Sequence, residues 1–232
     1  MNISNLIFPK RCPVCDEILN PMGHLMCKEC MPFIRYMEEP RCYCCSKQLT
    51  FDEGELCKDC KENPHEFERG WALYEYTGIS DTLYRFKYQK RPEYADFFAK
   101  DIRKHYGEML LGLNVDGLVP VPLHPKRQRR RGYNQAEELA RALGSELGIS
   151  VRSDLIERCR NTRPQKELDN ALRQNNLKKA FNLLQNDVKL KSIIIIDDIY
   201  TTGSTIDAVA HELNKIVSGK IYFLTLAIGA GF

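Results

Sequence analysis

The chain has 232 residues, 43% of them apolar and 28% charged, with a formal net charge of +3. That is the make-up of an ordinary globular protein, long enough for one well-buried domain plus a small module. Its longest apolar run, Ile221 to Ile228, contains Tyr222 and Thr225 and falls far short of the about 20 residues of a membrane helix. Met1 to Lys10 carries no basic leader followed by a cleavage site, so a cytoplasmic protein without membrane insertion is expected.

Charge and cysteine divide the chain. Residues 1–70 hold nine Lys/Arg against twelve Asp/Glu and the remainder twenty-five against nineteen, giving an acidic N-terminal part and a basic C-terminal one. Nine of the ten cysteines precede residue 61, and eight of them form two copies of one pattern. Cys12, Cys15, Cys27 and Cys30 recur as Cys42, Cys45, Cys57 and Cys60, every position shifted by thirty, with Arg11 and Arg41 ahead of each copy. A Cys-x-x-Cys turn presents two thiolates on one side of a knuckle, and two knuckles complete a tetrahedral site, so two structural Zn2+ ions are expected. Four thiolates alone also suit an iron–sulfur cluster, and pairing within each copy is the default over a crossed pairing. Segments this short bury too little to fold unaided, so the metal supplies their folding free energy. Cys44 is a spare thiol, and Cys159 reads as a core or edge residue rather than a nucleophile. The acidity of this region disfavours a phosphate backbone as its partner and favours packing or protein contact.

Lys61 to Arg69 is polar, contains Pro64 and reads as a short linker. Trp71 to Tyr76 alternates as a strand, and two helices separated near Pro92 are predicted between Ile79 and about Tyr106, with Leu83, Phe86, Tyr94, Phe97, Phe98 and Ile102 inward. Arg85 and Lys87 lie on the first of these, either as a solvated face or turned toward a ligand. Val115 to Val121 is a second buried strand, stopped by Pro120 and Pro122. The basic stretch after it, Lys126, Arg127, Arg129, Arg130 and Arg131, reads as a loop at a strand's carboxyl end, where ligands of open α/β sheets bind. Its guanidinium forks suit diphosphate or a nucleic acid backbone. Ala136 to Leu147 is helical. Arg158 to Lys166 and then Leu168 to Leu177 lack a strong apolar period and read as a loop that covers a site or as a surface excursion.

Ile193 to Thr205 organises the rest. Four consecutive isoleucines are stiff at the first side-chain torsion and suit a strand buried on both faces of a parallel sheet. The run ends in Asp197 and Asp198, two carboxylates that repel one another at the edge of an apolar sheet and are hard to justify on stability grounds. Ile206, Val209, Ala210, Leu213, Ile216 and Val217 then recur at helical spacing. Thr201, Thr202, Gly203, Ser204 and Thr205 therefore sit at a helix N-terminus, where unpaired N–H groups and the positive end of the helix dipole bind anions.

This stretch resembles the thirteen-residue phosphoribosyl-diphosphate signature of type I phosphoribosyltransferases, departing from many members at Tyr200, which is bulkier than their aliphatic residue. Arg85-Phe-Lys-Tyr88, Val119-Pro-Val-Pro122, Arg131-Gly-Tyr-Asn-Gln135, Pro164-Gln165, Arg173 to Asn176 and the paired Cys-x-x-Cys ribbons resemble the ComF family in particular. The resemblance implies an α/β fold: a type I phosphoribosyltransferase-like domain over residues 67–232, with a mainly parallel sheet between helices, behind a Cys-rich double zinc ribbon over residues 1–66. It implies that Asp197 and Asp198 face the ribose hydroxyls of phosphoribosyl diphosphate, partly through Mg2+, and that Thr201 to Thr205 wrap the 5-phosphate. Arg131, Lys126 and Lys87 are the candidates for the diphosphate. Members of this family are linked to uptake of transforming DNA, which implies single-stranded DNA or a helicase-like competence protein as further partners. Whether phosphoribosyl transfer itself is catalysed is left open, because no residue stands out as a base for an incoming nucleophile.

Overall fold

A computed structural model describes residues 9–19, 24–159, 180–184 and 187–229. A short helix α1 (Lys58–Glu62) is followed by β1 (Arg69–Glu75), α2 (Ser80–Tyr88) and α3 (Tyr94–Gly112), then β2 (Gly117–Pro120), α4 (Pro125–Arg131) and α5 (Gln135–Leu147). The chain continues through β3 (Ile156–Arg158), β4 (Phe181–Leu183), β5 (Ile193–Tyr200), α6 (Ser204–Leu213) and β6 (Ile221–Ile228).

Four strands form one sheet in the order β1-β6-β5-β2, every pair parallel. Strand β5 is interior, with Ile193 facing Gly117 on one side and Ile221 on the other, and Ile196 facing Pro120 and Leu224. All four isoleucines are fully buried, as a strand covered on both faces requires. Because side chains alternate across a strand, they divide two and two. Ile193 and Ile195 join Val119, Phe223, Ile206, Val209 and Leu213, while Ile194 and Ile196 join Leu224, Leu83, Phe98, Leu139 and Leu143. Thus α6 covers one face, and α2, α3 and α5 cover the other.

The two cysteine ribbons are copies in backbone as well as sequence. Arg11 bridges Ile18 as Arg41 bridges Gln48, and Asp16 and Ser46 both adopt left-handed backbone, at φ 63° and 64°. Their docking differs. The first ribbon grips α2 and α3: Arg85 Nη1 donates to Val14 O at 2.8 Å, and Asp16 accepts from Arg91 at 2.8 Å and from the Tyr94 hydroxyl at 2.5 Å. The second ribbon lies on the opposite face, where Cys42, Cys45, Leu49 and Cys57 enter the core around Ile193 and Ile195. There Gly70 N–H donates to Cys44 O at 2.8 Å, and the Arg69 guanidinium stands 4.1 Å from the Tyr43 ring centre.

Several segments differ from the sequence expectations. The basic stretch expected as a loop is helix α4, capped by the His124 ring accepting from Lys126 N–H at 3.2 Å, opened by Pro125 at its first position and closed by Gly132 at φ 92°. Ile221 to Ile228, set aside as too short for a membrane, is the buried strand β6. The helix after Gly203 stops at Leu213, while Ile216 and Val217 stay buried beyond it. The linker is no free tether, since Phe67 is buried and Glu68 N–H donates to Ile221 O at 2.8 Å. An antiparallel pair, β3 with β4, has no counterpart in the sequence reading; the expected covering loop, with Pro164, Gln165, Lys166, Arg173 and Asn176, lies outside the described residues.

Gly70 faces Phe223 in the β1–β6 register, and a Cβ there would fall inside the fully buried Phe223 ring. Gly70→Ala therefore overpacks the core and lowers unfolding free energy by about 1–3 kcal/mol in urea denaturation.

Candidate functional site

The acidic pair is accessible because β2 is short. Its last partner on β5 is Ile196, and Val121 N–H makes the final donation to Ile196 O at 2.9 Å before Pro122. From Asp197 onward β5 is paired only with β6, so the carboxylates emerge where one side of the strand opens. The strand itself runs on to Tyr200, past the point where the apolar run ends.

The two acids are held differently. Lys87 Nζ lies 2.9 Å from Asp198 Oδ1, with both side chains 16% exposed. Asp197 Oδ1 accepts from the Asp198 N–H at 2.8 Å. Burial above all, and then the charge of Asp198, push the Asp197 carboxyl up to about 7, against the opposing pull of that hydrogen bond, Lys87 and Arg158. The site thus has one carboxylate matched by a lysine and one poised between protonated and ionised near neutrality.

The loop that follows leads into a helix N-terminus, an arrangement able to hold an anion. Gly203, at φ 78°, is the N-cap of α6, and its carbonyl accepts from Asp207 N–H at 2.8 Å. The N–H groups of the first turn have no partner within the helix. Thr201 and Thr202 are exposed, and the hydroxyls of Thr202 and Ser204 lie 2.9 Å apart. Beneath the loop, a Cβ at Gly203 would meet the Tyr200 hydroxyl at 2.5 Å and His65 Cε1 at 3.2 Å. Only glycine satisfies both the backbone angle and this closeness.

Of the basic candidates, Lys87 joins the acidic pair directly. Arg131 turns to Gln135 Oε1 at 2.7 Å and the Tyr88 hydroxyl at 3.1 Å, with its guanidinium 4.9 Å from the Tyr88 ring centre. Lys126 is exposed on α4. Arg85 serves the first ribbon rather than this site. His65 escaped the sequence reading. Its side chain is 4% exposed, its Nδ1 lies 2.9 Å from Asp207 Oδ2 on the first turn of α6, and its Nε2 lies 3.4 Å from Cys60 Sγ. Its one sequence signal is a histidine followed by an aromatic, Phe67, within an otherwise polar linker.

Each set of four ribbon cysteines gathers its sulfurs within 4.8 Å of one another. Cys15 to Cys27 measures 3.8 Å and Cys45 to Cys57 3.7 Å. A tetrahedron of Zn–S bonds of about 2.3 Å has edges of about 3.8 Å, so both sets fit Zn2+, with pairing within each copy.

The double zinc ribbon domain matches residues 3–61, and the phosphoribosyl transferase domain matches residues 129–228. Fold and site therefore define a phosphoribosyltransferase-type domain joined to a double zinc ribbon. Competence protein F of Haemophilus influenzae is 27% identical over 95% of this chain and 97% of its own length. DNA utilization protein YhgH of Escherichia coli K12 is 30% identical over 90% of this chain and 92% of its own. A crystal structure of adenine phosphoribosyltransferase superposes with a TM-score of 0.39 at 14% identity, over 60% of this chain and 74% of that one. The chain belongs to the ComF family.

A raised carboxyl pKa has a defined stability signature. Asp197 starts at 3.8 and rises to about 7, so its ionisation costs folding free energy progressively from about pH 4 upward, levelling off above pH 7. Asp197→Asn, which removes that ionisation, gains stability over the parent by more than ~1 kcal/mol at pH 8 and by less at pH 4, in paired urea titrations of the zinc-loaded chains without added Mg2+.

Proposed function

We propose that the turn between β5 and α6 binds phosphoribosyl diphosphate together with Mg2+. The observation that carries this reading is the acid pair at the opening of β5, followed within five residues by a glycine-capped helix N-terminus. Asp197 and Asp198 take the ribose hydroxyls and share the cation, and the Thr201–Thr205 loop takes the 5-phosphate. Lys87, which pairs with Asp198 at 2.9 Å, would be the cationic side chain available to the diphosphate when the carboxylates hold a cation. If transfer occurs, the anomeric carbon gains positive character as diphosphate leaves. The protein then contributes positioning and neutralisation of the leaving group, from Lys87 and the cation held by the pair.

Isothermal titration should detect this ligand with Mg2+ and lose it in the Asp197→Ala, Asp198→Ala double variant. Unchanged affinity in that variant would sink the assignment. Diphosphate release in the presence of bases, nucleotides and DNA then separates an enzyme from a binding protein.

A second reading places the protein in the handling of incoming single-stranded DNA within a cytoplasmic competence pathway, supported by the names of its relatives and by one surface. Tyr84 and Tyr88 are 57% and 49% exposed, their ring centres lie 5.2 Å apart, and Arg131 stacks on Tyr88 beside the exposed Arg129 and Arg130 of α4. Bases stack on such aromatic shelves while guanidinium groups follow the backbone. Affinity for an oligothymidylate should fall steeply between 50 and 200 mM salt, as ~10-fold or more for several phosphate contacts. It should also weaken about tenfold in Tyr88→Ala. A flat salt response excludes this surface.

A further inference from the structure

The second ribbon is joined to the phosphate loop by a direct chain of contacts, and among the described residues the first ribbon is not. Cys60, a ligand of the second metal site, lies 3.4 Å from His65 Nε2, and His65 Nδ1 lies 2.9 Å from Asp207 Oδ2. Asp207 Oδ1 also accepts the Glu66 N–H at 3.0 Å, so one carboxylate of the first turn of α6 holds both the ring and the backbone that leads out of the ribbon. The arrangement of thiolate, imidazole and carboxylate is the one by which proteins orient groups around a metal centre. Here its far end is fixed to the helix whose N-terminus is able to hold an anion.

A second, aromatic path runs alongside. His65 stacks on Phe67 at 4.5 Å, Phe67 meets Tyr200 edge-on at 6.4 Å, and Tyr200 stacks on Phe223 at 4.8 Å with planes 4° apart. Lys47 of the second ribbon stands 5.9 Å from the Tyr200 ring centre and pairs with Asp59 at 3.1 Å. Both paths end under Gly203, where His65 and the Tyr200 hydroxyl leave no room for a side chain. That hydroxyl is buried without a hydrogen-bond partner among the described residues. A tyrosine whose hydroxyl gains nothing in polar contact is retained for the shape it gives the floor of the loop. Tyr200 is also the position at which the phosphoribosyl-diphosphate signature departs from its common aliphatic residue.

We propose that the second ribbon is a working part of the phosphate site: through His65, its zinc centre fixes the first turn of α6, so that metal occupancy of this ribbon sets the affinity of the loop for a phosphate ester. His65 is a positioning residue in this proposal, acting between Cys60 on one side and Asp207 on the other. The first ribbon, anchored through Asp16 to Arg91 just ahead of α3 and to Tyr94 on it, has no part in this path among the described residues. The affinity arm of the test rests on phosphoribosyl diphosphate being the ligand, whereas amide exchange in the loop and zinc release do not.

The experiment compares the zinc-loaded full chain with His65→Ala, His65→Gln and, as a control at the first ribbon, Arg91→Ala. Coupling predicts two zinc ions per chain in all four. In His65→Ala, amide exchange at residues 203–206 accelerates, and binding of phosphoribosyl diphosphate weakens about tenfold or more, in the range found when groups supporting a metal ligand are removed. Arg91→Ala leaves both unchanged, and His65→Gln, which keeps one polar contact, falls between. Linkage requires the converse at equilibrium: in a chelator competition the ligand raises the zinc affinity of the second ribbon by the factor that zinc improves ligand binding. The first ribbon leaves Cys15 exposed and Cys27 half-buried, whereas the second exposes none of its four cysteines and half-buries only Cys60, so the second ribbon gives up its zinc after the first. In His65→Ala that ligand effect disappears.

A wild-type chain that fails to bind phosphoribosyl diphosphate, yet shows faster loop exchange in His65→Ala, overturns the proposed ligand and upholds the coupling. Loop exchange that is the same in His65→Ala and the parent overturns the coupling whatever the ligand. So does a fall to one zinc in His65→Gln, which would make His65 a ligand, or a second-ribbon zinc affinity that the ligand leaves unchanged in a parent that binds it.

Discussion

The buried interior position of β5 is the constraint on which the rest depends. A strand with neighbours on both sides and cores on both faces admits only apolar residues, and the four isoleucines meet that demand with two side chains per face. The demand relaxes on one side where β2 stops at Pro120. Two carboxylates placed one residue earlier would sit in the full ladder; placed at 197 and 198 they reach an opening, at a cost that shows in the upward displacement of Asp197. The site is where it is because one strand is shorter than its neighbour.

The ribbons supply what the sheet lacks. With only four strands, the sheet has a face around Ile193 and Ile195 that α6 covers incompletely, and the second ribbon completes it with Cys42, Cys45, Leu49 and Cys57. The first ribbon instead braces the helices of the other face by hydrogen bonds and ion pairs. Position 16 is an aspartate that takes an arginine and a tyrosine, while its counterpart thirty residues on, Ser46, has the same left-handed backbone and is buried. Duplicated knuckles have diverged into an electrostatic clamp and a wall of the core.

What was legible in the sequence follows from local physics. The central strand, α5 and the α2–α3 pair are governed by periodicity and by proline and lie where expected, although α3 runs on to Gly112, past the expected end near Tyr106. The cysteine frame was legible because metal geometry fixes spacing. Helix α4 was missed because all its positions are polar or basic apart from Pro125, so it has no apolar period, and only the cap residues His124 and Gly132 betray it. Pairing of β3 with β4 joins residues that are distant in the chain, with no local turn signal. Strand β6 was weighed against a membrane span and not against the sheet it completes. The structure sets Lys87 against Asp198 and places the Thr201–Thr205 turn at a helix start, but His65 is hidden in the sequence by a polar linker: burial of that segment is decided by Asp207 and Phe223, far along the chain. Arg131 was named on its charge, and the structure gives it to Tyr88 and Gln135.

The ion pair of Lys87 with Asp198 has a consequence for what kind of visitor the site admits. A lone cation arriving at the carboxylates strands an ammonium, and a lone anion arriving at the lysine strands a carboxylate; either leaves a half-buried charge without its mate. A visitor that carries both signs lets every group change partner at once, with no charge left bare. Under the proposed function the ion pair is therefore a double lock, opening to a metal and its polyanion together and resisting either one alone.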